Sequence, residues 1–221
     1  MTPVDDDAPP ASPAESLALI QQEQAAVTSR VGLNPLAYYL PWGVAWLVGY
    51  GLLFLRYGPD GRIFVGLPDW LPLVVLFVCM ALAMVSTVGV SVRRGRGVEG
   101  RSSWQGTAYG LSWFLAFAGV GSTLGRFAPL LPDQERGLLW ASVSVGTVAV
   151  MYMAGSAIWL SRDMFVLGAW LTVINIAGVA LGPGWHSLLV SLGGGGGLCL
   201  LGVLLWLRGR RSAQPDGRRR G

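Results

Sequence analysis

Five consecutive glycines, Gly193 to Gly197, and a lone polar pair, Thr172 and Asn175, are the residues whose types could do chemistry in this otherwise apolar chain. A glycine run exposes backbone. Opened, its amides and carbonyls can hold a solute, as in the broken helices of some transporters; kept helical, it offers a flat groove to a neighbouring helix. Opening it in hydrocarbon leaves unpaired amides, and a broken-helix site comes with a second interruption that the sequence lacks. Close packing is therefore the expectation for Gly193, Gly194, Gly195, Gly196 and Gly197. Asn175 and Thr172 are the polar intramembrane candidates, and Ser86, Thr87, Ser142, Ser144 and Thr147 add hydroxyls. Hydrogen bonds across helices, or to carbonyls one turn back, are the ordinary fate of such groups.

The residue census argues against an enzyme. All 16 basic residues are arginine, so a Walker A loop, a Schiff-base lysine and a Ser-Lys dyad are ruled out. The single histidine, His186, cannot build a zinc-protease motif, and beside Trp185 it reads as an interfacial side chain. Cys79 and Cys199 fall in separate apolar runs and read as small apolar residues facing lipid or a neighbouring helix rather than a disulfide or half of a zinc tetrad. The expectation is no catalytic, cofactor-binding or metal-binding residue, and no cofactor. Away from their ends the apolar runs hold no Asp, Glu, Arg or His, which counts against a proton-coupled pump.

The elements that position these residues follow from hydropathy. The 221-residue chain is 52% hydrophobic and 13% charged, with a mean hydropathy of +0.52, whereas a soluble domain carries about 25% charge. Six apolar runs, 36–55, 70–92, 104–124, 138–160, 164–182 and 185–207, each approach the ~20 residues that cross a hydrocarbon core of ~30 Å. The expected fold is all-α, a polytopic bundle of six transmembrane helices over 35–207.

Helix-start signals agree with these bounds: Asn34 before Pro35, Asp69 before Trp70, Ser103 before Trp104, and Pro132 before Asp133. Ser161, Arg162 and Asp163 form so tight a turn that the fourth and fifth helices should be antiparallel neighbours. Trp42, Trp70, Trp104, Trp140, Trp159, Trp185 and Trp206 fall near the proposed ends and read as interface anchors.

With six spans the termini share one side. That side collects Arg30, Arg93, Arg94, Arg96, Arg101, Arg162 and the six arginines of the tail 208–221, against Arg56, Arg62, Arg126 and Arg136 on the other. The excess places both termini in the cytoplasm of a plasma-membrane protein. The tail arginines serve topology and attraction to anionic headgroups; with no aromatic residue after Trp206, nucleic acid is not an expected partner. In the cytoplasmic segment 1–34, residues 1–12 read as disordered. A capping box from Ser12, Pro13 and Glu15 then opens a helix over about 13–30. Its narrow stripe, Leu17, Ile20, Val27 and Val31, leads into the membrane domain or docks a soluble protein.

Helices in lipid associate through small residues. Gly106 and Gly110, then Gly121 and Gly125, give the third span two such pairs and mark helix-packing positions. Three strings together, Leu36 to Leu55 with Trp42, Gly43, Trp46, Leu47 and Gly49, then Gly168, Ala169 and Trp170, then the Gly193 run before the Arg-rich tail, resemble uncharacterised actinobacterial six-span integral membrane proteins. Members are often labelled transporters or transporter-associated proteins. The all-arginine, glycine-rich composition fits a GC-rich bacterial genome. The resemblance implies fold and location, with the bilayer and a membrane or soluble protein as partners. The expected function is a membrane subunit or partner of a transport-related assembly, and the alternative is a scaffold or regulator that recruits a soluble protein through its N-terminal helix.

Overall fold

The computed structural model describes residues 35–95 and 101–212, with Ser12, Pro13, Ser16 and Leu17 before them. Every regular element among the described residues is helical. Helix α1 is Pro35–Arg56, α2 Leu71–Gly95, α3 Arg101–Phe127, α4 Asp133–Trp159, α5 Arg162–Leu181, α6 Trp185–Leu189 and α7 Gly196–Ser212. A π-helical segment, Val190–Gly195, joins α6 to α7, and short 3-10 turns occupy Pro59–Gly61 and Ala128–Leu130. Near the N-terminus, the Ser16 amide and hydroxyl both donate to the Ser12 carbonyl, at 3.0 and 3.2 Å. The expected helix over 13–30, the disordered stretch 1–12 and the end of the tail otherwise lie outside the described residues.

Local chemistry sets the helix limits. Pro35 opens α1 where a missing amide costs nothing. Ser161 caps α5, its hydroxyl accepting from the Met164 amide at 3.4 Å. The preceding helix stops at Leu160, whose φ of 51° is left-handed, a conformation that disfavours a side chain by about 1–2 kcal/mol. The chain reverses there and α5 returns along α4.

Among the described residues five stretches, rather than the expected six, are long and apolar enough to cross a membrane: Pro35–Arg56, Leu71–Val92, Asp133–Trp159, Arg162–Leu181 and Trp185–Arg211. Length is not what sets α3 apart, because its 27 residues exceed most of the others. Gln105, Thr107, Tyr109, Ser112, Ser122 and Thr123, interspersed with glycines, dilute its apolar character.

Cross-helix contacts give the relative directions. Between α1 and α2, the Trp42 indole donates to the Thr87 hydroxyl at 2.9 Å and Tyr38 meets Ser91 at 3.3 Å, while Arg56 pairs with Asp69 at the other end. The two helices are therefore antiparallel. The Ser191 hydroxyl donates to the Leu47 carbonyl at 2.8 Å, and Gly202 lies against Tyr39 and Pro35, so the last span also runs antiparallel to α1. Gly155 faces Met164 while Asn175 reaches Ser142, which fixes α4 and α5 as an antiparallel pair. Tyr109 of α3 donates to the Met151 carbonyl at 2.7 Å and sets its ring edge-on to Trp159, centroids 4.7 Å apart.

The core lies among α1, α2, α4, α5 and the last span, where Trp46, Tyr50, Leu76, Val145, Leu171, Val190 and Leu198 are buried. Outward, Phe77 (65% exposed), Val85 (70%) and Phe114 (69%) belong to a broad apolar exterior. Water would penalise so much contiguous apolar surface. Together with the five apolar helices, it fits a membrane protein.

Candidate functional site

Of the polar residues that the sequence singles out, Asn175 meets His186 where α4, α5 and α6 converge. Asn175, on α5, donates through Nδ2 to the Ser142 carbonyl of α4 at 3.0 Å, and its Oδ1 lies 2.8 Å from His186 Nε2. Because an amide oxygen only accepts, Nε2 must carry the imidazole proton. Nδ1 is then a bare lone pair, and it is buried without a partner. Turning the amide over would set two oxygens, Oδ1 and the Ser142 carbonyl, against each other, so this tautomer is the consistent one.

His186 is 1% exposed, not the interfacial side chain that its place beside Trp185 suggests. The cause is Gly178: a Cβ there would come within 2.8 Å of the imidazole Cδ2, and its absence lets the ring lie flat on α5. Trp185 remains partly exposed, against Phe54 at 6.5 Å between ring centroids. Thr172, the other polar candidate, does not join the cluster; its hydroxyl donates to the Gly168 carbonyl of its own helix at 2.9 Å. Among the described residues no group of three His, Cys, Asp or Glu side chains could hold a metal ion. Chemically the cluster is a hydrogen-bonded tie across three helices, with capacity to accept one more hydrogen bond at Nδ1.

The glycine run stays helical but changes pitch. The Gly196 amide reaches back to the Ser191 carbonyl, five residues earlier, and is shared with that of Gly193, the widened turn of a π-bulge. Four of the five then meet neighbours from other helices. Gly195 lies against α1, where an added Cβ would stand 2.5 Å from the Leu47 amide nitrogen and 2.8 Å from the Gly43 carbonyl. Gly43 returns the contact: its own Cβ would come within 2.9 Å of the Gly195 carbonyl. Gly194 carries the Trp46 ring, and Gly193 faces Ile174 of α5. Gly197 gives room for Trp170, whose indole donates to the Gly193 carbonyl at 2.9 Å. Gly196 alone of the five has open space above it. Sequence reasoning missed the Trp170 bond; its only trace was an indole one helix before a run of bare backbone.

The α3 glycines are placed differently. An added Cβ at Gly106, Gly110, Gly121 or Gly125 would meet nothing within 4 Å, while the α4 contact uses Tyr109, Trp113 and Phe117 around Tyr152 and Trp159. Trp42, expected as an interface anchor, is instead tied to Thr87 inside the α1–α2 contact. Cys79 and Cys199 are both free thiols.

At the end of the bundle opposite the tail, the loops after α1 and α5 touch. Gly184, at φ 83°, allows the Pro59 nitrogen to approach where a Cβ would stand 2.5 Å away. Tyr57 donates to the Asp69 carbonyl at 3.0 Å. Partial burial, with the Asp69 carboxylate adding, raises its phenol above the ordinary value, and Arg56 opposes the rise. Compared with known proteins, the chain matches no family model, no curated protein and no solved structure.

Proposed function

We propose that this chain is a six-span integral protein of the plasma membrane, with both termini cytoplasmic, that serves as a non-enzymatic membrane subunit or partner of a transport-related assembly. The direction of the helices supports the sixth crossing. Because α1 is antiparallel to both α2 and the last span, α2 ends at the same end of the bundle as the arginine tail. The Asp163–Arg208 pair, at 3.7 Å, puts the start of α5 at that end too, and α4, antiparallel to α5, must therefore begin at the opposite one. The chain between α2 and α4 has to change ends, and α3, 27 residues and about 40 Å long, lies along α4 with the length to do it. An even number of spans then puts the termini on one side, and the arginine excess makes that side the cytoplasm.

The subunit reading rests on the open glycine face of α3. Gly106, Gly110, Gly121 and Gly125 share one face of the helix, and among the described residues no other helix covers it, which makes it a surface that a neighbouring transmembrane helix can pack on. Two experiments test the reading. Reporters inserted after Gly100 and after Leu131 are expected to be cytoplasmic and external respectively; the same side for both defeats the six-span topology. Purification in mild detergent is expected to recover a transport ATPase or its membrane subunit. Recovery instead of a soluble regulator, lost on deleting residues 1–30, would replace this reading with the scaffold.

A further inference from the structure

Between α5 and the last span an open groove of about 420 Å³ runs along the outside of the bundle. Its walls are Val166, Trp170, Leu192, Leu200 and Leu204, and its floor is Gly193, Gly196 and Gly197. From Leu192 to Leu204 it follows about 18 Å of helix, close to the ~15 Å of a single leaflet in a ~30 Å hydrocarbon core. One end reaches Asp163, whose carboxylate lies 3.7 Å from Arg208. Arg162 precedes that aspartate, while Arg210 and Arg211 lie in the last turn of α7. Arg162, Arg208, Arg210 and Arg211 thus cluster near that end of the two helices against the one carboxylate of Asp163, Arg208 being the one that reaches it, and Arg210 stacks on Trp206 at 4.0 Å.

We infer that this groove is a binding site for one anionic glycerophospholipid, with an acyl chain along the glycine floor and the phosphate at the Arg208 end. Gly196 carries the argument. Gly194 and Gly195 are bare because α1 and its Trp46 press on them, and Gly193 and Gly197 because Ile174 and Trp170 do. Beyond its chain neighbours and its own helix backbone, no described atom lies within 4 Å of a Cβ placed on Gly196, yet the residue lines the groove. What its missing side chain preserves is the empty floor. The Gly193 carbonyl accepts from the Trp170 indole as well as from the Gly196 amide, so it offers no unpaired acceptor to a chain lying on the floor. A net positive mouth selects a phosphate that keeps its negative charge over a zwitterionic headgroup.

The inference rests on the helices spanning a bilayer, which flotation of the reconstituted chain with vesicles reads separately. The full-length protein is reconstituted in vesicles of phosphatidylglycerol and phosphatidylcholine in equal amounts, extracted in mild detergent, and its retained lipid counted by native mass spectrometry. One phosphatidylglycerol per chain is expected, with phosphatidylcholine at background. Gly196→Leu fills the floor without touching the fold and is expected to reduce retention to background. Arg208→Gln is expected to lower it about fivefold, the worth of one basic residue near an anionic surface. Gly89→Leu, at an equally open glycine on α2, is expected to retain lipid as the parent does. Equal retention of the two lipids, undiminished retention by Gly196→Leu, or equal loss in Gly89→Leu overturns the assignment. A chain that fails to float overturns the bilayer reading and the groove with it.

Discussion

Two glycine-rich helices in this molecule have opposite surroundings. Along the last span the glycines are pressed: Gly195 and Gly43 abut backbone to backbone, and Gly194 lies under Trp46. Along α3 the glycines at 106, 110, 121 and 125 face open space. The small-xxx-small spacing is present on both helices, but on α3 nothing among the described residues answers it, whereas in the glycine run it belongs to a tight seam. A small-residue pattern permits close approach; whether approach happens is decided by what the opposite helix offers. Here α1 offers Gly43 with Leu47 one turn on, so two backbones can meet.

The contrast can be broken most forcefully at the seam. Gly195→Leu places a branched side chain where even a Cβ would stand 2.5 Å from a backbone nitrogen. Such overpacking is expected to cost about 3 kcal/mol or more, seen as loss of the monodisperse peak in detergent or a steep fall in melting temperature. A chain that purifies and melts normally would mean that α1 and the last span do not meet. An intermediate loss belongs to the polar tie. Asn175→Leu strands the His186 N–H and uncovers the Ser142 carbonyl, a destabilisation of about 1 kcal/mol. In a double-mutant cycle with His186→Leu, the combined loss should fall short of the sum. Strict additivity would show that the two side chains do not bond. The smallest effect is expected on α3: Gly110→Leu should leave the melting temperature of the isolated chain within the range of a surface change, about 0.5 kcal/mol, while reducing recovery of an assembly partner. A large loss of intrinsic stability would place a neighbour from this same chain on that face.

How much of this was legible in the sequence varies from residue to residue. Hydropathy carries the five apolar helices because burial in lipid is a property of a residue sum, and Pro35, Asp133 and Ser161 mark helix starts through chemistry local to a few positions. The sixth run was harder to read. In α3, Gln105, Tyr109 and Ser112 dilute the apolar signal, and what argues for its crossing is the direction of the other helices, which no window of sequence contains. His186 shows the same limit: its burial depends on Gly178, eight positions away, which leaves room for the ring. The glycine run announced unusual backbone but not its π-turn, nor the division of its five residues among α1, α5 and the groove. Those depend on partners from distant parts of the chain.

The bond from Ser191 to the Leu47 carbonyl joins residues 144 positions apart. During synthesis the first helix therefore enters the membrane long before its companion on that flank exists, and its bare Gly43 notch stays uncovered while the ribosome makes every helix in between. Only when the closing segment has emerged can the bundle shut, so a ribosome halted before Ser191 would leave an inserted but open protein, a natural substrate for membrane quality control.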